Sequence, residues 1–469
     1  MRRVGLMAAV MLMVTGVLMI NQNCSGMGVG NKLLGQEAQN QGGSTNNNNN
    51  NNNNNGPGGP VIPEASKLCP ELDVREGSVQ VEQINPSQAS ALPGLIQSAV
   101  PGTAFILSPG VYNLSATLQF NTAGLRLASS TGRPEDVILD GNHQGGSIIQ
   151  ISAVNVVIAN VTVRRSFYHL IHFVDGGVGG KVYNVQLEDG RQQFIKSSSF
   201  NTPSDNVEVA CSSFVLTASG RAKVDPSGGG CYTGGIDAHK SRNWWVRDNV
   251  FKDIYCNNGG LAEHAVHFWN SSRDTLVERN FIHNCARGIG FGLGETKDEI
   301  GRSYTDYPGV TTEAAKYVGH FGGVIRNNLI VASTQNRFDT GIGLEQAIDA
   351  KVHHNTVYST DAATFAALDI RFVNSNPDVA NNLLYPTSYT RGGGSPNTYL
   401  ANVISKPEYF KSDPDLGIRL DPEHAEVISK VRDQGVVVVG AELDLEGKER
   451  DASPDIGAVE LPPQEEEKK

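Results

Sequence analysis

Short runs of apolar residues recur in the second half of the chain, each around an asparagine. A copy consists of an apolar residue, two variable residues, asparagine, one variable residue and a second apolar residue, as in residues 246–251. Spacings of 31, 48, 27 and 27 residues separate five such asparagines: Asn249, Asn280, Asn328, Asn355 and Asn382. Shorter copies surround Asn160 and Asn184. Units of this length with β-branched runs are typical of a β-solenoid, in which each unit forms one coil.

The shared register of the five asparagines predicts that they occupy the same corner of successive coils. At a corner they are expected to stack and to hydrogen-bond with their neighbours. Asparagine also tolerates the left-handed backbone angles that tight bends require. The pattern therefore predicts a column of asparagines along one edge of the solenoid.

About ten residues before each repeat, apolar and polar residues alternate. Side chains alternate between the two faces of a strand, so every second residue is predicted to fill the core. The predicted inward residues are Ile236, Ala238, Val266, Phe268, Ile289, Phe291, Ile342, Leu344, Leu368 and Ile370. The outward residues form two columns, the first with Asp237, His267, Gly290, Gly343 and Asp369, the second with His239, Trp269, Gly292, Glu345 and Arg371. Upstream, His172 and Lys196 extend the first column.

These columns predict one patch on the outward face, because neighbouring coils lie about 4.8 Å apart. The patch comprises Lys196, Asp237, His239, His267 and Trp269. For each residue alone, an ordinary solvated strand position is the simpler interpretation. Histidine and tryptophan are nevertheless unusual on a plain wet surface, and their clustering predicts an open groove that binds a ligand.

The outward glycines Gly290, Gly292 and Gly343 predict a trough in the middle of this face, where a sugar chain can lie. Close loop packing over the sheet explains the same glycines equally well. Trp269 is predicted to be a stacking platform for sugar rings, with burial beneath a neighbouring loop as the alternative.

The sequence predicts no metal site built from histidine or cysteine. His264 and His267 are three residues apart and are expected to point to opposite faces of a strand edge, and the six cysteines include no CxxC pair. No motif requires a cofactor. An acidic insertion between residues 293 and 323 is predicted to form one wall of the trough, and its composition leaves room for Ca²⁺ without a loop motif. Its polar residues include Glu295, Asp298, Glu299, Tyr304 and Asp306.

Charge and composition narrow the classes of function. Lys and Arg total 38 and Asp and Glu total 49, a net charge of −11, to which residues 401–469 contribute 9 − 17 = −8. This negative balance argues against a nucleic-acid-binding protein. The centre of the chain is near neutral and can accept an anionic ligand. With 52 glycines and only 19% charged residues, the composition favours strands and turns.

The first 65 residues differ from the rest. Arg2 and Arg3 precede an apolar stretch over residues 4–20, so residues 1–24 are predicted to be a secretory signal, with an uncleaved membrane anchor as the alternative. Cys24 resembles a bacterial lipoprotein lipidation site, although the residues before it do not match the usual pattern. Residues 25–65 include ten consecutive asparagines and are predicted to be a disordered linker. We expect a monomer that is exported, either secreted or held at the membrane by a lipid or by the signal itself.

The repeat resembles that of the right-handed parallel β-helix family of pectate lyases, chondroitinase B-type lyases and alginate epimerases. Residues 95–112 resemble the capping helix and first strand of such proteins, and residues 453–460 resemble their last coil. The resemblance implies an all-β fold: one right-handed parallel β-helix (a single-stranded solenoid) over residues 66–462, with a short N-terminal capping helix and a charged tail at residues 463–469. Alginate epimerases carry Asp-Pro-His and an acid on this kind of strand. Asp237 and His239 match that motif, whereas Ala238 and Lys240 do not.

The resemblance implies an enzyme that acts on an acidic polysaccharide by uronate β-elimination or C5-epimerisation. Both reactions need a base with a pKa near neutrality, a proton donor, and a cation near the enolate-like charge. We expect His239 to be the base, held by Asp237, and His267 to be the acid or a second base. The residues expected to neutralise or bind substrate are Lys196, Arg287, Arg371, Lys240, Glu345 and Trp269.

Two other interpretations stay open. One is a non-catalytic surface β-helix that binds glycan or acts as a rigid spacer. The other is hydrolysis by a pair of carboxylates, for which Asp237, Glu345 and Asp369 are available, but the paired aspartates of polygalacturonases are missing.

Overall fold

The computed structural model describes residues 68–199, 201–293, 302, 304, 306–311, 315–332, 338–413 and 416–463. The predicted signal, Cys24, the whole linker and most of the C-terminal tail lie outside these residues. Of the insertion, residues 294–301 also lie outside them, including Glu295, Asp298 and Glu299.

Three long parallel sheets run along the molecule, and the chain visits them in turn, one strand of each per coil. Sheet I consists of Gln80–Ile84, Thr103–Leu107, Arg126–Ser129, Val157–Ala159, Lys181–Tyr183, Glu208–Ala210, Trp245–Arg247, Leu276–Glu278, Val324–Arg326, Lys351–His353, Asp378–Ala380 and Thr398–Leu400. Sheet II consists of Gly110–Asn113, Val137–Gln144, Thr162–Ser166, Gln186–Glu188, Ser213–Val215, Val250–Lys252, Phe281–His283, Leu329–Ala332, Thr356–Ser359, Leu383–Tyr385 and Val403–Ile404. Sheet III consists of Leu118–Phe120, Ile149–Ile151, Ile171–Phe173, Ile195–Ser197, Ile236–Ala238, His264–Phe268, Arg287–Gly292, Thr340–Glu345, Ala366–Arg371 and Ser388–Arg391. The predicted right-handed parallel β-helix is confirmed.

The few helices and the remaining strands lie at the ends of the solenoid and in the connections between its strands. Helix Leu92–Gln97 buries Leu92 and Ile96 against the first coil, as a capping helix should, but strand Gln80–Ile84 precedes it, so the helix does not come before the first strand. The other short helices are Ala218–Arg221, Ser227–Gly230 and Ala425–Lys430, with 3-10 turns at Pro86–Gln88, Pro134–Asp136 and Pro407–Tyr409. A small parallel sheet joins Ser272–Arg273, His320–Phe321 and Ala347–Ile348, and Phe410–Asp413 pairs antiparallel with Gly417–Leu420.

The core lies between the three sheets and is filled as the alternation predicts. All ten predicted inward residues of sheet III are at most 1% exposed. Aromatic side chains also stack along the solenoid, since Phe214 lies 4.3 Å from Phe251 and 6.3 Å from Phe194, ring centre to ring centre. Burial of apolar surface in every coil is the main stabilising contribution to such a fold.

The asparagine column is confirmed at the bend between sheets I and II. The side-chain Nδ2 of Asn249 donates to Oδ1 of Asn280 at 2.9 Å, and the same bond continues from coil to coil through Asn382 to Asn402, one residue further than predicted. The predicted left-handed backbone is wrong for the asparagines themselves. It belongs to the residue before each of them, for example Asp248 with φ 55° and Arg279 with φ 51°.

The two upstream copies lie one position earlier in the coil than predicted. Asn160 and Asn184 themselves have left-handed φ values of 55° and 50°, and their side chains bond to each other at 2.9 Å. Strand pairing places Tyr183 in line with Arg247, so Asn184 corresponds to Asp248 and not to Asn249. The bend thus has two positions that favour asparagine, for different physical reasons.

Two disulfides, Cys69–Cys211 and Cys231–Cys256, fasten segments to the solenoid, and Cys285 is a buried free thiol. Among the described residues, no helix has the length and apolar character needed to cross a bilayer.

Candidate active site

The outward columns predicted from the sequence are present on sheet III. Strand pairing aligns His172 with Lys196, Lys196 with Asp237, and Asp237 with His267. The column then continues through Gly290, Gly343 and Asp369 to Tyr389. His239 and Trp269 follow the ends of their strands directly. The sequence-predicted residues are therefore neighbours in space.

Lys196, Asp237 and His239 form a compact triangle on this face. The ammonium of Lys196 lies 2.6 Å from Oδ2 of Asp237 and donates to Nε2 of His239 at 3.0 Å. The same imidazole nitrogen is 3.2 Å from Oδ1 of Asp237. Asp237 is buried, whereas the side chains of Lys196 and His239 are 11% and 27% exposed. His239 is thus the member that a ligand can reach most readily.

The charges of the triangle are set by burial and by its members' mutual contacts. Burial raises the pKa of Asp237, but the Lys196 ammonium and the contacts with His239 together outweigh this effect and hold that pKa well below its ordinary value. Burial alone would lower the pKa of Lys196, and the Asp237 carboxylate raises it above the ordinary value. Burial and the Lys196 charge lower the pKa of His239. Near pH 7 the cluster therefore contains a carboxylate, an ammonium and a neutral imidazole.

The prediction that all five patch residues line an open groove is wrong for three of them. Asp237 and His267 are each 1% exposed and Trp269 is 4% exposed. The Trp269 ring lies between two imidazoles, with centroids 4.9 Å from both His239 and His267. Trp269 therefore positions histidines and is not an exposed platform for sugar rings. His267 donates from Nε2 to the carbonyl of Gly292 at 2.8 Å, so it does not offer that proton to a ligand.

The predicted glycine trough is also corrected, because the glycines make room for protein atoms. A Cβ atom placed on Gly290 would come within 2.7 Å of Nε2 of His264, whose ring stands over that position. Gly292 has a φ of +76° and lies against the carbonyl of Glu345, a position that a side chain cannot share. At Gly343 an added Cβ would make only ordinary contacts. Close packing, which was the alternative interpretation, therefore explains Gly290 and Gly292 but not Gly343.

His264 and His267 lie on the same side of the sheet, contrary to the expectation from strict alternation. Ala265 and Val266 are both fully buried, so the alternation is broken between them and His264 emerges beside His267. Their ring centroids are 4.3 Å apart. Glu263 completes the group, since its Oε2 lies 3.5 Å from Nδ1 of His267 and 3.8 Å from Nδ1 of His264. The sequence-based argument against joint metal binding is therefore wrong.

Of the charged residues predicted to bind substrate, Arg287, Arg371 and Glu345 are held in ion pairs with other protein residues. Arg287 lies 3.4 Å from Asp339 and 4.0 Å from Glu263. Arg371 lies 3.1 Å from Glu345, and its side chain is 34% exposed. Asp369 accepts from Arg391 at 2.7 Å. The three carboxylates considered for hydrolysis, Asp237, Glu345 and Asp369, thus each have a cationic partner. A cation beside a carboxylate favours its ionised form, whereas hydrolysis would require one protonated carboxylic acid.

Part of the insertion contacts Lys240, next to His239. Its role as a wall stays a prediction, since residues 294–301 lie outside the described part of the chain. Arg302 donates to the backbone carbonyl of Lys240 at 2.7 Å and pairs with Asp205. The hydroxyl of Tyr304 donates to the carbonyl of Ser271 at 3.0 Å. Asp306 is paired with Arg273 at 2.8 Å, so it is not a free ligand for Ca²⁺. Lys240 itself turns the chain, with a φ of 53°.

Sequence reasoning missed two features of this face. Tyr232 interacts electrostatically with Lys196 and Asp237, and burial raises its pKa, so its hydroxyl keeps its proton. Its position next to Cys231 of a disulfide was a signal that it is held in place. Further along the face, Phe365 and Tyr389 are 39% and 45% exposed and their rings stack 5.0 Å apart. Extending the outward column by one strand would have found Tyr389.

Buried polar atoms without a hydrogen-bond partner are concentrated here within the described part of the chain. They include both amide atoms of Gln193, Oδ1 of Asp237, Nδ1 of His264, Nδ1 of His267 and Nε1 of Trp269. Buried polar groups normally have partners, and exceptions mark strain, a missing ligand or a functional site. This face is therefore the strongest candidate site of the described residues.

No known family profile matches the sequence. Nor does any curated protein match it. Several solved structures have a similar course of the backbone. Pectate lyase Pel9A is 13% identical with a TM-score of 0.48, over 82% of this chain and 96% of that chain. An alginate lyase from Paenibacillus sp. is 11% identical with a TM-score of 0.38, over 68% and 100%. A PL6 family polysaccharide lyase from Pseudopedobacter saltans is 13% identical with a TM-score of 0.35, over 73% and 97%. What this chain shares with them is the parallel β-helix.

Proposed function

We propose that the protein acts on an acidic polysaccharide by removing the proton next to a uronate carboxylate. The observation that carries the proposal is the triangle of Lys196, Asp237 and His239. It supplies a neutral imidazole in contact with an ammonium, on the outward face of the sheet and partly exposed. A base with this protonation state and an adjacent cation are what the step requires.

In this proposal the substrate carboxylate attracts the Lys196 ammonium away from His239. This movement of the Lys196 ammonium frees the lone pair on Nε2 of His239 and also brings a positive charge to the substrate carboxylate. The proton at C5 passes to Nε2, and its electron pair enters the enolate-like system that Lys196 stabilises. Asp237 keeps the lysine charged and near the reacting atoms.

The second half of the reaction decides the product. In β-elimination the C4–O bond breaks and the leaving oxygen takes up a proton. In C5-epimerisation a proton returns to C5 from the opposite face. We assign the proton donor to Tyr232. Burial raises the pKa of its hydroxyl, which therefore keeps its proton, and Tyr232 interacts electrostatically with Lys196. His267 is not retained as the acid, because it is buried and bonded to Gly292.

A specific observation favours a second function, glycan binding without catalysis. The exposed pair Phe365 and Tyr389 lies on the same face, about two coils beyond Gly343. Arg391 stands 4.8 Å from the ring centre of Phe365, and Arg371 is the neighbouring cation. Stacked aromatics beside arginines suit a sugar chain that carries carboxylates.

Incubation with a panel of uronate polysaccharides tests both functions. Unsaturated products are followed by ultraviolet absorbance, and the epimer ratio by NMR. The wild type should change at least one polymer, and His239→Ala should lower the rate about 10²-fold or more. His353→Gln, on sheet I, is the matched control and should retain the rate. Binding that depends on Tyr389 with no chemical change would favour the non-catalytic function.

We also propose that the protein is exported. Two disulfides fit an oxidising compartment. The signal-like start and Cys24 provide the route and, in the lipidated form, the membrane attachment.

A further inference from the structure

Glu263, His264 and His267 each offer one metal-binding atom within the same small group. The Oε2 atom of Glu263 lies 3.5 Å from Nδ1 of His267 and 3.8 Å from Nδ1 of His264. All three ligand atoms are within 4.8 Å of one another. Nitrogen and carboxylate ligands about 2.0–2.2 Å from Zn²⁺ in tetrahedral geometry are about 3.3–3.6 Å apart. The group therefore needs only small shifts to hold such an ion.

The hydrogen bond of His267 to Gly292 turns the other ring nitrogen, Nδ1, towards Glu263. A backbone carbonyl only accepts, so the contact from Nε2 of His267 to Gly292 places the ring proton on Nε2. In the neutral ring, Nδ1 is then a bare lone pair directed at the Glu263 carboxylate. Two acceptors that face each other at 3.5 Å repel unless a proton or a metal ion lies between them.

Burial makes this arrangement costly without a cation. Glu263 is 3% exposed, His267 is 1% exposed and His264 is 9% exposed. The Nδ1 atoms of both histidines lack hydrogen-bond partners among the described residues. Arg287 is the nearest positive group, but its guanidinium is 4.0 Å from Glu263 and closer to Asp339.

We propose that Glu263, His264 and His267 bind one divalent transition-metal ion of the zinc class. Two imidazoles and one carboxylate favour Zn²⁺ and its first-row neighbours over Ca²⁺, which prefers six to eight oxygens. Three protein ligands leave a coordination position open for water or a ligand. The bond from Nε2 of His267 to Gly292 orients the ring as an outer partner does in other histidine metal sites. This site is distinct from the Lys196 triangle, and its test does not depend on glycan activity.

The test uses the wild type stripped with a chelator and then titrated with Zn²⁺ by calorimetry, with the metal content measured after dialysis. Expected results are one Zn²⁺ per chain and a higher melting temperature with metal. Glu263→Gln and His264→Ala should each weaken binding at least 10–100-fold, the usual effect of losing even an outer partner of a ligand. His353→Gln is the control and should bind as the wild type does.

Unfolding by urea in the presence of chelator shows whether each variant is folded. Loading with Co²⁺ adds a second readout, because four-coordinate Co²⁺ bound by protein ligands absorbs visible light far more strongly than the hydrated six-coordinate ion. Binding of less than about one-tenth equivalent by the wild type overturns the proposal, and would leave an imidazolium–carboxylate pair as the explanation. Equal binding by Glu263→Gln, His353→Gln and the wild type also overturns it.

Discussion

Replacing Gly290 by alanine tests the packing of the candidate site. A Cβ atom at this position would lie 2.7–2.9 Å from three ring atoms of His264, closer than van der Waals contact allows. Overpacking of a buried site costs about 1–3 kcal/mol. Gly343 is the matched control one coil away, since a Cβ there would approach His264 only to 3.7 Å. Neither glycine has a positive φ, so alanine is free of backbone strain at both.

The expected result follows from these distances. Gly343→Ala should be neutral or stabilise by up to about 1 kcal/mol, because alanine restricts the unfolded chain. Gly290→Ala should lower the free energy of unfolding by about 1–3 kcal/mol. Urea denaturation followed by circular dichroism measures both. In the His264→Ala background the cost of Gly290→Ala should largely disappear, which a double-mutant cycle detects. Equal stability of the two single variants would refute the placement of His264 over Gly290.

Three further predictions concern the fold and its attachment. Asn328→Ala should lower the free energy of unfolding by about 3 kcal/mol, because Asn280 and the carbonyl of Val277 lose buried hydrogen-bond partners. Asn402→Ala, at the end of the asparagine column, should lower it by about 1 kcal/mol. Equal urea midpoints for the two variants would contradict the asparagine column. Burial lowers the pKa of His169 and His320 to about 3, so the unfolded chain takes up protons first and stability should fall as the pH drops from about 6.5 towards 3. Urea midpoints measured at pH 7, 5 and 4 check this fall in stability. In His320→Gln the midpoint should fall less steeply with pH than in the wild type, and an equally steep fall would contradict the role of His320. Cys24→Ala should release the protein from membranes in a fractionation experiment, and unchanged attachment would identify the apolar stretch as the anchor.

The fold was predictable because its signals repeat. Five asparagines in one register and ten apolar residues at alternate positions each report the same coil geometry, so a single ambiguous residue does not matter. The left-handed residue at the bend was assigned one position too late. Asparagine suits two adjacent positions there, one for its backbone and one for its side-chain ladder, and composition does not separate them.

The sequence predicted which residues meet at the candidate site, but only partly which of them are exposed to solvent. Register brought Lys196 together with Asp237 and His239, which lie in the next coil. It did not show that Trp269 and His267 are covered, because burial of an outward residue depends on chain segments far away in sequence. His264 was misplaced for a local reason. The break in alternation at Ala265 leaves no mark in the hydrophobic pattern, since alanine fits either face of a strand.

The central claim is that His239 removes the proton at C5 of a uronate, and exchange with D₂O measures this step whatever the final product. The polymer that the wild type binds or changes is incubated in D₂O, and the signal of the C5 proton is followed by NMR for the wild type, His239→Ala and His353→Gln. The account predicts loss of that proton with the wild type and with His353→Gln, and a rate about 10²-fold lower with His239→Ala. Retention of the C5 proton on a polymer that binds, or unchanged exchange with His239→Ala, would contradict it.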